Sequence, residues 1–521
     1  MKRRISIAVL GIFWILCGVL SGTAQETAKL EIRESILDRI VHIEKDLKTE
    51  IPSVPRLCDS LTVKKDKINI GDCELYVEEE GQGMPLVLIN GGPGGTHHYF
   101  HPWFSRVKDY ARVIYYDQRG CGLSDYQPGK DGYSVDQAVG DLEGIRKALG
   151  IDRWVVLGYS YGGFLAQYYA TKHPESMAGL ILLGASPGMW VQMKPTRQYD
   201  FLSKEERARI REIPNQAKAL GQEQKWEPKK ILFLQVYNAH LNGDWKRQHF
   251  YRPSPEKLAQ GALYEWTYDL INNFRSGINN SMDKIDLTGA FGKCPIPTLI
   301  LEGKWDLTWN TDKPEIIANN HPGGKLVLFE NAGHGIYDEE TEAFFSVLKD
   351  FMLKRRAAEA LDVAPYRAYL ADWDQQRKSS PLYIVRSTGN SIASLAKIAK
   401  AYTKTWCDEL QDWPLWLLKV GLAHYDVNNY AEAQYVFEKI AQFAEKKQNM
   451  GIKALALIWQ GHMLDLQGKR SEAINRYKQV VDLNIKDTWE HNMYGLKYEV
   501  SSYAKERMMK PFVRIENTLK D

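Results

Sequence analysis

The sequence predicts an α/β fold with a parallel sheet covered by helices on both faces, followed by an all-α C-terminal domain. Three observations lead to this prediction. Short, nearly continuous apolar stretches alternate with helical patterns between residues 85 and 354, which is typical of buried parallel strands. A long insertion interrupts the alternation at residues 188–290, and beyond residue 386 the periodicity is helical throughout.

The size and composition are those of a multidomain globular protein. A chain of 521 residues is too long for one hydrophobic core, and 44% apolar with 26% charged residues is ordinary for globular domains. The formal net charge is +3 and basic residues form no single block. The composition therefore gives no indication of binding to nucleic acid or to a charged membrane surface.

The N-terminus has the pattern of a secretory signal. Basic residues 2–4 precede an apolar run at 5–20, and small residues follow up to Ala24. We therefore predict that residues 1–24 are a signal peptide and that the protein is exported, to the periplasm or out of the cell. The alternatives are a transmembrane anchor, for which the run is short, and a lipoprotein signal at Cys17. After removal of the signal, no stable membrane span is expected.

The cysteines leave their redox state open. Six are present, and removal of Cys17 with the signal leaves five, an odd number: Cys58, Cys73, Cys121, Cys294 and Cys407. None has the spacing of a Cys-x-x-Cys motif or a zinc site. Cys58 and Cys73 are candidates for a disulfide in an oxidising compartment, but spacing alone does not assign the pair.

The elements of the α/β part can be assigned in chain order. Residues 25–65 are predicted to be an N-terminal helical extension, and a hairpin follows at 68–70 and 74–78. The strand candidates are 86–90, 113–117, 154–157, 180–183, 298–301 and 326–329, with helices that include 135–149 and 164–172. The α/β core is therefore expected in two parts, 66–187 and 291–356. The helical insertion at 188–290 between them is predicted to be a cap that excludes water and selects substrate.

The C-terminal region contains an internal repeat. Residues 357–385 are predicted to be a linker, polar and irregular at 365–381, and 386–521 a helical domain. A set of apolar and small positions recurs after 40 residues, as Leu417, Gly421, Ala433 and Phe437 and then Leu457, Gly461, Ala473 and Tyr477. This spacing resembles tetratricopeptide repeats with a lengthened period, and 392–401 and 493–505 are candidates for a flanking helix pair. An unrelated helical bundle is the alternative. A protein or peptide partner, or self-association, is expected for this tail.

The stretch Gly158-Tyr159-Ser160-Tyr161-Gly162 follows an apolar strand and precedes a helical pattern. This is the context of a nucleophile elbow, in which a sharp turn exposes the serine hydroxyl at the edge of the sheet. The turn requires residues without bulk on both sides of the serine, and glycines supply them. Ser160 is therefore the predicted nucleophile, with the Tyr161 N–H directed at a developing oxyanion. A flexible turn is the alternative interpretation.

A serine hydroxyl needs a base, which in turn needs an acid to orient it. In elbow-type hydrolases the chain order is serine, acid, histidine. The strand after the cap leads to Asp306, the predicted acid, with Glu302 and Asp312 as alternatives. The last strand leads to His334, the predicted base, whereas His321 precedes that strand and is expected in a surface loop. Such a mechanism requires no metal and no organic cofactor.

A glycine-rich loop at 90–95 follows the first strand of the parallel sheet and lets the backbone approach a substrate closely. It is not a phosphate-binding loop, because no Lys-Ser or Lys-Thr follows the glycines. With the turn at 117–124 and the elbow, this loop makes residues 85–354 resemble α/β-hydrolases of the proline iminopeptidase family. In that family a histidine precedes Gly-Gly-Pro-Gly, and Asn90 stands there in this chain.

The resemblance implies roles for backbone groups near the serine. The Gly92 N–H would be the second oxyanion donor beside Tyr161, and 117–124 would shape the turn beneath the site. It also implies release of an N-terminal residue, typically proline, from short peptides, with cap glutamates that bind the free amine.

The cap does not clearly supply those glutamates. Residues 237–241 and 271–275, where they are expected, contain no acid, and Glu265 and Asp269 are the nearest candidates. Trp266, with neighbouring tyrosines, is a candidate for a proline pocket. A solvated helix face and core packing are the alternative interpretations. A carboxylesterase acting on small esters is therefore the alternative enzyme, since a fold does not determine its substrate. A binding protein with an inactive hydrolase domain is the second alternative.

Overall fold

The computed structural model of the protein describes residues 47, 49–50, 63–125, 133–189, 204–227, 230–231, 234–235, 238, 275–306, 308, 313–355, 360–380, 383, 392–411, 414–485, 488–491 and 496–515. The predicted signal at 1–24, nearly all of the N-terminal extension and most of the cap lie outside these residues. So do Cys58 and the three candidate substrate-binding residues Glu265, Trp266 and Asp269.

An eight-stranded mixed sheet forms the centre of the first unit. Its strands are β1 Lys64–Asn69, β2 Glu74–Glu80, β3 Met84–Ile89, β4 Ala111–Tyr116, β5 Trp154–Tyr159, β6 Met177–Leu183, β7 Thr298–Gly303 and β8 Lys325–Phe329. They lie in the order β1-β2-β4-β3-β5-β6-β7-β8. The first two strands form the predicted hairpin and pair antiparallel with the sheet, whereas β3 to β8 are parallel. The predicted α/β-hydrolase fold is confirmed.

Helices cover this sheet. Those of the core are Val135–Ala148, Tyr161–Lys172, Lys313–Asn320, Ile336–Glu339 and Thr341–Leu353, and the described cap helices are Lys204–Glu223 and Arg275–Met282. The first begins where the Ser134 hydroxyl accepts a hydrogen bond from the Gln137 N–H, a standard N-cap. Short 3₁₀ segments at His97–Phe100 and Trp103–Val107 connect β3 to β4.

The central strands are buried on both faces, which explains their nearly continuous apolar sequence. All residues of β5, β6 and β7 are buried. In β7 these include a carboxylate, Glu302, whose side chain is fully inaccessible. The carboxyl ends of β3, β5, β7 and β8 point to the same edge of the sheet, where α/β proteins place their ligand sites.

The segment predicted to be an irregular linker contains a helix, Ala364–Ser379. Tyr366 and Leu370, one helical turn apart, are both buried, and the Tyr366 hydroxyl donates to the Ala290 carbonyl at 3.1 Å. Irregularity at 365–381 was therefore the wrong prediction, because two apolar anchors outweigh the polar composition. The chain divides into two compact units between Leu370 and Ala371.

The second unit is helical. Its described helices are Ile392–Glu409, Pro414–Asp426, Tyr430–Lys446, Met450–Leu466, Arg470–Asp482 and Val500–Met509. Two short strands, β9 Thr488–His491 and β10 Leu496–Glu499, pair antiparallel within it. The predicted helix at 493–505 is thus wrong in its first part and begins at Val500. Threonine, tryptophan and tyrosine in these strands favour extended backbone.

The repeat in the second unit has a packing cause. A Cβ atom added to Gly421 would lie 2.5 Å from the Phe437 ring, and one added to Gly461 would lie 2.4 Å from the Tyr477 ring. Both rings are fully buried. Each glycine therefore allows an aromatic side chain of the next helix to pack against the helix backbone, and the same contact recurs 40 residues later.

The described residues include no helix long and apolar enough to cross a membrane. Four cysteines lie among them, and Cys73, Cys121, Cys294 and Cys407 all carry free thiols. The pairing of Cys58 with Cys73 falls partly outside the described residues.

Candidate active site

Ser160 lies at a strained turn between β5 and the helix Tyr161–Lys172. Its backbone has φ 57° and ψ −118°, a conformation that costs a non-glycine residue free energy and that neighbouring structure must hold in place. The Ser160 N–H donates to the Leu183 carbonyl at 3.0 Å. The Ser160 carbonyl accepts from the N–H groups of Gly163 and Ser186, both at 2.9 Å. The bonds to Leu183 in β6 and to Ser186 in the loop after it fix the serine at the sheet edge.

The two glycines of the elbow are required by close backbone contacts. A Cβ atom at Gly158 would lie 2.1 Å from the Gly162 carbonyl oxygen. A Cβ atom at Gly162 would lie 2.3 Å from the Ile89 carbonyl oxygen, at the end of β3. The absence of side chains therefore lets the elbow approach the strand that leads into the glycine-rich loop.

His334 and Asp306, which follow β8 and β7, are brought together. His334 Nδ1 lies 2.8 Å from Asp306 Oδ2, and both residues are buried. The two loops are joined by a hydrogen bond from the Trp305 N–H to the Ala332 carbonyl at 2.9 Å. The imidazole ring lies 4.9 Å from the ring of Tyr159, the residue before Ser160. The predicted base is thus held beside the end of β5.

The hydrogen bond assigns the imidazole tautomer. Burial alone would raise the pKa of Asp306, but His334 and Lys313 hold it well below its usual range, so the carboxylate is ionised and only accepts. His334 Nδ1 therefore carries the hydrogen, and Nε2 is left as the basic nitrogen.

The glycine-rich loop lies beside Ser160. A Cβ atom at Gly91 would lie 3.1 Å from the Ser160 Cβ. Gly92 has φ +124° and an added Cβ would lie 2.5 Å from the Gly94 nitrogen, so this conformation is open only to glycine. Tyr161 is the first residue of its helix, and N–H groups in the first turn have no intrahelical acceptor. The predicted oxyanion donors, Gly92 and Tyr161, therefore belong to the two segments that meet at Ser160.

A buried lysine that no sequence pattern indicated contacts Asp306, the predicted acid. Lys313 Nζ lies 2.8 Å from Asp306 Oδ2 and 2.7 Å from Glu302 Oε2. The other oxygen of Asp306 accepts hydrogen bonds from the N–H, at 3.0 Å, and the hydroxyl of Thr308. The available signal was a carboxylate within a strand buried on both faces, since a buried charge requires a partner. Glu302, one of the two alternative candidates for the acid, thus pairs with Lys313. Asp312, the other candidate, lies outside the described residues.

A second buried network fastens the glycine-rich loop to the turn at 117–124. Asp117 accepts hydrogen bonds from the N–H and Nδ1 of His97, both at 2.8 Å, and from the Leu123 N–H at 2.9 Å. Glu78 in β2 binds His101 Nε2 at 2.9 Å and lies 3.7 Å from His97 Nε2. These contacts hold together β2, the segment that follows the glycine-rich loop, and the turn at 117–124.

Two further sequence expectations concern polar residues near the site. Asn90, in the position of the family's histidine, is fully buried and accepts a hydrogen bond from Gln118 Nε2 at 2.7 Å. His321 is also buried, so its expected surface location is wrong. Its ring stacks on Phe291, with 3.9 Å between the ring centroids, and its Nε2 lies 3.1 Å from Gln167 Oε1. Neither contact can be predicted from the sequence around His321.

Comparisons with known proteins identify relatives of the sheet-containing unit. Residues 84–341 match the profile of the alpha/beta hydrolase fold family. The chain is 32% identical over 283 residues to a proline iminopeptidase of Saccharolobus solfataricus. This alignment covers 52% of this chain and 86% of the relative. It is also 29% identical over 280 residues to a proline iminopeptidase of Thermoplasma volcanium. That alignment covers 53% of this chain and 90% of the relative.

Among solved structures, a thermophilic esterase from Thermogutta terrifontis aligns with a TM-score of 0.42 and 22% identity, over 56% of this chain and 99% of the esterase. The chain belongs to the α/β-hydrolase family, and proline iminopeptidases are among its relatives.

Proposed function

We propose that the protein is a serine hydrolase and, more closely, an aminopeptidase of the proline iminopeptidase type. One observation carries the proposal: a serine at a strained elbow shares a sheet edge with a buried His334–Asp306 pair. The three residue types follow one another in the chain order of elbow-type hydrolases.

The chemistry follows from the positions of these groups. Ser160 Oγ attacks the substrate carbonyl carbon while His334 Nε2 takes the hydroxyl proton. The resulting oxyanion accepts hydrogen bonds from the Gly92 and Tyr161 N–H groups. His334 then gives the proton to the leaving amine, the C–N bond breaks, and an acyl-enzyme remains. Water, deprotonated by His334, releases the acyl group and regenerates the serine.

The substrate class rests on the relatives. Two proline iminopeptidases align over 86% and 90% of their own length, which supports release of an N-terminal residue from short peptides, with proline favoured. Glu265 and Asp269 are proposed to bind the free amine, and Trp266 to line the pocket for the ring. No contribution from the second unit is needed for this chemistry.

A direct assay tests the substrate. The purified full chain is incubated with a peptide library, with prolyl arylamides and with short acyl esters. We expect free N-terminal residues, proline most abundant, and loss of this activity in Ser160→Ala. Ser379→Ala, the same change at an exposed helix position, is the matched control and should remain active. An enzyme that cleaves only the esters would reject the peptidase assignment and favour a carboxylesterase.

The two terminal regions carry separate proposals. The pattern of residues 1–24 supports export, and N-terminal sequencing of the exported protein should begin at Gln25. The tetratricopeptide-like spacing supports a role of the second unit in binding a protein or peptide or in self-association. Sedimentation of the purified chain over a range of concentrations tests self-association, since a mass that stays at one chain excludes it.

A further inference from the structure

A positive charge lies on the oxygen of Asp306 that also binds the base. Asp306 Oδ2 is 2.8 Å from His334 Nδ1 and 2.8 Å from Lys313 Nζ. The Lys313 and Asp306 side chains are each 1% exposed, so water screens this contact little. A triad of serine, histidine and acid alone contains no such cation.

The cation opposes what the acid does in the proposed reaction. When His334 takes the serine proton it becomes an imidazolium, and the carboxylate beneath it stabilises that charge. An ammonium ion at hydrogen-bond distance from the same carboxylate cancels most of its field, because the two charges form a neutral pair. Asp306 and Lys313 alone would therefore present a net charge of about zero to the imidazolium.

Glu302 supplies the missing negative charge. Its Oε2 lies 2.7 Å from Lys313 Nζ, on a side chain that is 0% exposed. Two carboxylates and one ammonium give a net charge of −1, the charge of a single acid. The group thus has the charge that a simple Asp–His pair would have, distributed over three side chains.

We propose that Glu302 is a charge-balancing positioning residue, which pairs with Lys313 so that Asp306 remains an effective anion for His334. This inference rests on the proposed serine mechanism and extends it by one residue that touches neither substrate nor the reacting atoms. Lys313, in turn, holds the two carboxylates together and orients Asp306.

The arrangement makes the charge beneath the imidazole depend on pH. Glu302 is faced by Lys313 from the helix Lys313–Asn320, by Asp306 from the loop after β7, and by the backbone of Ala185 after β6. His334 lies beyond Asp306. Burial raises the pKa of the Glu302 carboxyl to about 7, although Lys313 acts in the opposite direction. The net charge of the group therefore changes from zero to −1 as the pH rises through neutrality.

A charge-balancing role differs from a purely structural one in what a second substitution does. Glu302→Gln keeps the side-chain shape but leaves Lys313 uncompensated, so the imidazolium loses its net negative partner. Adding Lys313→Met removes the cation as well, and Asp306 is again a lone anion. Charge balance predicts that the second change repairs the first. A structural network predicts that the two losses accumulate.

The test measures kcat and KM on a prolyl arylamide from pH 5 to 9 for the wild type, Glu302→Gln and the double variant Glu302→Gln/Lys313→Met. We expect Glu302→Gln to lower kcat about tenfold, with KM little changed and with the loss relative to the wild type largest above pH 7, where Glu302 is charged in the wild type. The double variant should recover at least about threefold over the single one. A double variant no better than the single one, or a single variant with wild-type kcat and pH profile, would overturn the proposal.

Two controls keep the outcomes separate. Thermal unfolding of each variant identifies loss of fold. Should Glu302→Gln not fold, fluorophosphonate labelling of the wild type and of Lys313→Met decides instead, because the ratio of the two labelling rates should change as the pH passes about 7, where Glu302 ionises beside Lys313. An identical profile in both proteins would reject the inference. Ser160→Ala in the same assay reports on the proposed function: if it stays active, the mechanism itself fails, whatever Glu302 does.

Discussion

Asp117→Asn should loosen the loop that carries Gly92, one of the two proposed oxyanion donors. The side chain is fully buried and accepts three hydrogen bonds, two from His97 and one from the Leu123 N–H. Asparagine keeps one acceptor oxygen, while its NH₂ group turns toward one of these donors. The variant therefore loses at least one charge-assisted bond and leaves buried donors unpaired.

The expected cost is about 3–5 kcal/mol, the usual penalty for breaking a buried ion pair by removing one partner. For a unit of 370 residues, a loss of 3 kcal/mol lowers Tm by about 4 °C. Calorimetry of the full chain measures this shift for the sheet-containing unit, and the helical unit serves as an internal reference. We expect kcat to fall with it, because Gly92 lies in the loop that His97 anchors.

Asp125→Asn is the matched control. It is the same change just beyond this turn, but Asp125 is 41% exposed and pairs with Lys67, which is 46% exposed. Exposed ion pairs contribute little, so Tm should change by no more than about 2 °C. Equal Tm values for Asp117→Asn and Asp125→Asn would refute the argument that the buried network fastens the loop.

The same network predicts how stability depends on pH. Burial alone would raise the pKa values of the Asp117 and Glu78 carboxyls, but their hydrogen-bond and charge partners lower both, that of Glu78 to about 2. The stabilisation by these carboxylates is therefore present above their ordinary pKa values and is lost as the pH falls below about 4.5. Burial lowers the pKa of His97, but Asp117 and Glu78 raise it overall above 6.5. Its contribution is complete below pH 6.5 and is lost as the pH rises through the raised value. The network's contribution, measured as the difference in Tm between the wild type and Asp117→Asn, should therefore be largest between about pH 4.5 and 6.5.

Three further predictions concern the elbow, the acid and the repeat. Gly162→Ala should lower kcat at least about a hundredfold, since the new Cβ would meet the Ile89 carbonyl; an active variant would contradict the close approach. Asp306→Asn should lower kcat about ten-thousandfold, less than Ser160→Ala, as measured by steady-state kinetics. Gly461→Ala should destabilise the second unit by about 1–3 kcal/mol in urea, whereas Gly140→Ala, in open space, should not destabilise the first.

The positions of the site residues could be predicted because they depend on local patterns. Apolar runs mark the strands, and in a parallel sheet their carboxyl ends meet at one edge. A serine, an acid and a histidine after three such runs must therefore come close together. The need for glycine at positions 158 and 162 could also be predicted, because a turn this sharp leaves no room for a Cβ atom there.

The contacts that the sequence analysis missed depend on partners distant in the chain. The role of Glu302 depends on its ion pair with Lys313, and no local pattern connects these two residues. His321 looked exposed, because nothing local indicates that Phe291 covers its ring. The helix Ala364–Ser379 has a polar composition. Its two buried residues, Tyr366 and Leu370, stabilise it only through tertiary packing, which the local sequence does not show. Such pairings follow from packing, which periodicity does not encode.

Covalent labelling tests the central claim, that Ser160 is the activated nucleophile. The folded full chain is treated with a fluorophosphonate and digested, and the modified peptide is identified by mass spectrometry. The account predicts one phosphonylated residue, Ser160, with labelling abolished by unfolding and slowed in Asp306→Asn. An enzyme that turns over substrate while Ser160 remains unlabelled, or that is labelled elsewhere, would contradict it.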